Sequence, residues 1–104
     1  MIITTTENIS GKTVIQTLGM VTGNVVRARH VGSDLVAGLK SIVGGEVKGY
    51  TKLMNEVREQ ALERLKTEAR ALGADGIICV RLATSEVMQG VMELCVYGTA
   101  VKLQ

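Results

Sequence analysis

From Tyr50 to Leu72, apolar side chains recur at steps of three and four, at Leu53, Met54, Val57, Ala61, Leu65, Ala69 and Leu72. On a helix that spacing gathers them into one stripe. The opposite side carries Lys52, Glu56, Arg58, Glu59, Glu63, Arg64, Lys66, Glu68 and Arg70, so one face is built for a core and the other for water. Lys52 with Glu56, and Arg64 with Glu68, are opposite charges four apart, each adding roughly 0.3 kcal/mol to an exposed face. The stripe stops at Gly73, which predicts a left-handed residue just past the last turn. Asp75-Gly76 then turns the chain into Ile77, Ile78, Cys79 and Val80.

Two strands are predicted next, about Gly76 to Val87 and Val91 to Leu103. Alternation puts Ile78, Val80 and Leu82 on one face of the first, and Met92, Leu94 and Val96 on one face of the second. These six are the expected partners of the helix stripe. The other face carries Ile77, Cys79, Arg81 and Ala83, then Val91, Glu93, Cys95, Tyr97, Thr99 and Val101, and is too apolar for a sheet face in water. Two hairpin registers compete. A three-residue loop, Met88-Gln89-Gly90, sets Val87 opposite Val91, Leu82 opposite Val96, Cys79 opposite Thr99 and Cys95 opposite Ala83, with Gly90 in the left-handed position. A longer loop centred on Val87 brings Cys79 opposite Cys95 and Arg81 opposite Glu93. The shorter loop continues the alternation through Thr84 to Val87 and is the expected one; in it the thiols are too far apart to bond or to share a metal.

Ahead of the long helix the signals are shorter. Residues 1 to 11 read as an extended arm, with Ile2, Ile3 and three threonines before a loop through Asn8 to Gly11. A strand follows at about Lys12 to Val21, a bend at Gly23-Asn24, and a short second strand at Val25-Val26. A shorter helix is predicted from Leu35 to Val43, with Ser33 or Asp34 capping its first turn and Gly44-Gly45 ending it. The expected fold is therefore one α/β (α+β) domain over residues 1–104: two layers, an antiparallel sheet backed by one long and one short helix.

Composition changes this picture in one respect. The chain has 104 residues, of which 46% are hydrophobic, yet its only aromatics are Tyr50 and Tyr97. A chain this small buries only about 60–70% of its unfolded surface alone. Thin core and apolar surplus together predict that other copies of the chain cover part of the surface, with Ile77, Cys79, Ala83 and Tyr97 as interface residues on the second sheet face. The remaining composition excludes partners. A net charge of +2 is too mild to select nucleic acid or an anionic membrane. There is no apolar run of about eighteen residues to span a bilayer, and the first residues lack the basic and apolar regions of a signal peptide. Two cysteines without an export signal point to the cytoplasm.

Ile42-Val43-Gly44-Gly45-Glu46, a Tyr a few residues on, Ala69-Arg70-Ala71-Leu72-Gly73-Ala74-Asp75-Gly76-Ile77, and Tyr97-Gly98-Thr99-Ala100-Val101 resemble the YbjQ-like proteins (UPF0145, DUF74), in order and spacing and over essentially the whole chain. The resemblance implies a small α/β subunit, dodecin-like in arrangement, assembling as a ring-shaped pentamer. It also carries a heavy-metal-binding label to which no activity is attached. The family pattern has small residues where Cys79 and Cys95 stand, so the resemblance implies fold and assembly and assigns no functional residue.

A soft-metal site needs two or more thiolates, with or without an imidazole, converging on one ion. The available donors are His30, Cys79 and Cys95, with no CxxC pair. Buried strand cysteines are most often small hydrophobes, and His30 beside Arg29 reads as a solvated loop residue. The glycines of Gly44-Gly45-Glu46-Val47-Lys48-Gly49, with Arg27, Arg29 and Lys40 nearby, lack the spacing of a phosphate loop and read as helix termination. The carboxylates sit mostly on the solvated helix face, which gives no catalytic pair. The expected function is a homo-oligomeric, pentameric binding or scaffold protein without enzymatic activity or resident cofactor. The alternative is a metal-binding protein using His30, Cys79 or Cys95.

Overall fold

The computed structural model describes residues 1–28 and 48–104. The predicted short helix at Leu35–Val43, Gly44-Gly45, Arg29, Lys40 and the candidate ligand His30 lie outside the described residues. Within them run strand β1 (Ile2–Ile3), strand β2 (Val14–Ala28), helix α1 (Lys48–Ala71), strand β3 (Gly76–Met88) and strand β4 (Val91–Leu103). The sheet order is β1-β3-β4-β2. Its three long strands are antiparallel to their neighbours, while β1 joins the edge of β3 in parallel, which makes the sheet mixed.

The helix forms where the stripe predicts it. Val57, Ala61, Leu65 and Ala69 are buried, Leu53 and Met54 are half-buried, and α1 packs across β2 and β4. Leu72 is exposed because the helix has already ended: Gly73 takes φ 78°. The Gly73 amide donates to the Arg70 carbonyl at 2.9 Å and the Ala74 amide to Ala69 at 3.1 Å, which closes the last turn as a Schellman cap. Of the predicted charge pairs neither forms. Lys66 instead pairs with Glu63 at 3.1 Å, and Arg64 donates to the backbone carbonyl of Asn24 on β2.

Strand β2 runs unbroken through Gly23-Asn24, where the sequence predicts a bend. The glycine serves packing instead. A β-carbon at Gly23 would lie 2.1 Å from the Ala61 carbonyl oxygen and 2.7 Å from the Leu65 nitrogen, so the helix backbone rests directly on the strand there.

The β3–β4 hairpin matches its predicted limits except that β3 runs one residue further, to Met88, and it keeps its predicted register in the middle. Leu82 pairs with Val96 and Ala83 with Cys95. Gly90 is left-handed at φ 79° in a turn one residue tighter than predicted, since Met88 itself pairs with Val91. The register slips again between Ile78 and Arg81, where β3 takes three steps against two on β4. The residue absorbing the excess is Cys79, at φ 55°, an uncommon conformation for a residue with a side chain. The N-terminal arm holds this bulge. The Cys79 amide donates to the Thr6 carbonyl at 3.1 Å, the Val80 amide to Thr4 at 3.0 Å, and Arg81 Nη1 to Thr5 at 2.9 Å.

A bulge reverses alternation, and this overturns part of the face assignment. Ile77 belongs to the core cluster with Val80, Val96 and Ala100 and is fully buried. Its Cγ2 and that of Val80 close over Gly98, at 2.9 and 3.0 Å from where a β-carbon would stand. Ile77 therefore has no surface to offer a partner, and it leaves the set of interface candidates. Leu94 and Val96 face the core as expected; Leu82, which pairs opposite Val96 on that face, is half exposed.

Candidate functional site

The helix covers one face of the sheet. On the other face (hereafter the uncovered face), which among the described elements neither the helix nor a further layer covers, cross-strand pairing sets Thr22, Tyr97 and Arg81 in one row and Asn24, Cys95 and Ala83 in the next, followed by Val26, Glu93 and Ser85. Strand alternation explains the placement: Leu94 and Val96 are buried beneath the helix, so Glu93, Cys95 and Tyr97 project to the opposite side.

Four polar side chains in these rows are joined. The Cys95 thiol donates to Asn24 Oδ1 at 3.6 Å, Asn24 Nδ2 donates to Glu93 Oε2 at 3.3 Å, and the Ser85 hydroxyl donates to Glu93 Oε1 at 3.4 Å. The carboxylate thus accepts from both flanking strands. On the covered side, the Arg64 bond to the Asn24 carbonyl ties the helix to the same residue. Alternation in the sequence already places Glu93 and Cys95 on one face. Asn24 and Ser85 join them only through the strand order, which carries no local signal.

Of the sequence candidates, Ala83 and Tyr97 lie on this uncovered face, Tyr97 being 39% exposed. Cys79 is half-buried in the bulge under the arm and Cys95 half-buried in the polar row. The two thiols are not brought together. Cys95 stands opposite Ala83, whereas Cys79 lies beyond the Arg81–Tyr97 pair. Three to four residues of strand separate their levels, about 10–13 Å.

A heavy-metal ion would be held most firmly by sulfurs each about 2.3 Å from it. The donor set does not fit that demand. Among the described residues no three of His, Cys, Asp and Glu converge on one point, and the polar row supplies a single sulfur beside one carboxylate. No described helix is long and apolar enough to cross a membrane.

Comparison with known proteins gives the same architecture and the same chemical label. The chain matches, over residues 1–104, a family whose description is "Putative heavy-metal-binding". It is 54% identical over 104 residues to a UPF0145 protein of Hahella chejuensis, covering all of both chains. It is 53% identical over 104 residues to one of Halorubrum lacusprofundi, again covering all of both. A crystal structure of a DUF74-family protein of unknown function from Pediococcus pentosaceus superposes with a TM-score of 0.69 at 21% identity, covering 100% of this chain and 98% of that one. At that identity the likeness speaks for the fold.

Proposed function

We propose, from the premise that this chain belongs to the UPF0145 (YbjQ) family, that it works as a homo-oligomeric ring, a pentamer, acting as a cytoplasmic binding or scaffold protein and not as an enzyme. The observation carrying this reading is the uncovered sheet face. Met20 is 72% exposed and Val26 57% there, beside Tyr97, and the hairpin tip adds Met88 at 63%. A face of this composition in water is a face meant for protein.

Along β3 every residue from Leu82 to Met88 is exposed, which supports the hairpin end as part of the contact.

Native mass spectrometry of the purified chain tests this. The expected spectrum is a five-subunit ion, and any stoichiometric adduct on it gives the ligand class. A monomer as the dominant species at micromolar concentration overturns the reading.

A further inference from the structure

The family description names heavy-metal binding without assigning residues, and the two thiols this chain could offer such a site, Cys79 and Cys95, are kept apart by the fold. We infer that Cys79 and Cys95 of one subunit are separate single-sulfur contacts, and that no soft metal ion is held by both while the subunit is folded.

The reason is the ladder between them. Two sulfurs sharing one ion stand at most about 4.6 Å apart, twice a bond of about 2.3 Å. Cys95 is fixed opposite Ala83 on one side and Asn24 on the other. Cys79 is fixed by the hydrogen bond its backbone N–H donates to the Thr6 carbonyl, at the far side of the Arg81–Tyr97 pair. Side chains of one Cβ and one Sγ do not close a gap of about 10 Å between their levels. Bringing the sulfurs together would require breaking the β3–β4 pairing across Arg81, Leu82 and Ala83 and freeing the arm from the bulge. Arg81 also bonds the Thr5 carbonyl, so the arm and the ladder would have to open together. The thiols also sit in different company: Cys95 donates to Asn24 in the row ending at Glu93, and Cys79 lies beneath a threonine strap. A thiophilic ion taken by either one meets a single sulfur. It therefore lacks the gain in effective concentration, on the order of 10²–10⁴, that a second tethered ligand provides.

Phenylarsine oxide, which is retained when two thiols displace its oxygen as water, tests the inference in the unfolded and folded chain. Added in urea to the reduced protein, it is expected to bind at one arsenic per chain, with both thiols lost to Ellman's reagent. Cys79→Ser and Cys95→Ser variants are expected not to retain it. On removal of urea the wild-type chain is expected either to expel the arsenic and recover two titratable thiols, or to stay unfolded while bridged; both uphold the inference. A refolded chain that keeps one arsenic with neither thiol titrating, and loses it in both single variants and in the two variants refolded together, overturns it. Arsenic lost in only one of the two variants, or regained when the two variants are refolded together, is a contact between subunits and leaves the inference standing. The ring reading is decided separately, by the subunit number of untreated protein.

Discussion

Gly23→Ala is expected to destabilise the subunit more than any other single-methyl addition in the described residues. The new β-carbon would stand 2.1 Å from the Ala61 carbonyl oxygen and 2.7 Å from the Leu65 nitrogen, both backbone atoms of the helix. A side chain could swing away; a helix backbone moves only as a body. Lifting α1 off β2 would loosen the core where Val21, Val25, Val57, Ala61 and Leu65 are all buried. Overpacking a core typically costs about 1–3 kcal/mol, and contact with backbone places this case at about 3 kcal/mol or above. In a domain of this size that lowers Tm by roughly 12 °C or more. Thr22→Ala, one residue away on the opposite face, is expected to stay within about 1 kcal/mol of wild type. Thermal unfolding of both variants at one protein concentration checks the contrast; equal melting temperatures would mean that the helix does not rest on Gly23.

The same residue shows what the chain reveals and what it withholds. Gly23-Asn24 has the composition of a turn, and a turn is the reasonable reading of that dipeptide in isolation. A glycine that makes room for a crossing backbone has the same local sequence as one that bends a strand; only the helix thirty-eight residues later, with Ala61 at the crossing, separates the two. The helix itself, its glycine stop and both limits of β4 were legible because each depends on local spacing. The hairpin register was legible from Leu82 to Glu86 because alternation and the position of Gly90 agree there. The bulge at Cys79 was not. Left-handed residues are usually glycine or asparagine, and a cysteine takes that conformation here under the hold of Thr4, Thr5 and Thr6, more than seventy residues away in sequence. The candidate site was half legible in the same way. Glu93 and Cys95 share a face by alternation, while Asn24 and Ser85 reach them through a strand order that no neighbouring residue encodes.

Because the bulge exchanges the faces of β3 on either side of it, two lysine substitutions six residues apart are expected to fail in different ways. Ile77→Lys places an ammonium among Val80, Val96 and Ala100, where Ile77 is fully buried and no carboxylate belongs to the cluster. An unpaired buried charge costs several kcal/mol, about 4 or more, against a total stability of about 5–15 kcal/mol for an ordinary domain. The expected result is loss of the folded subunit, seen as loss of cooperative melting at any concentration. Ala83→Lys places the same charge on the uncovered face, beside Cys95 and exposed in the subunit. Folding should be nearly unaffected, within about 1 kcal/mol, whereas a lysine pressed into an apolar contact would release the neighbouring copy. Far-UV circular dichroism with native mass spectrometry distinguishes the outcomes: a folded monomer for Ala83→Lys, no folded species for Ile77→Lys. A folded, dissociated Ile77→Lys would return Ile77 to the interface and remove the bulge from the account. An intact ring carrying Ala83→Lys would leave the uncovered face without the role proposed for it, and the contact between copies would then lie elsewhere on the subunit.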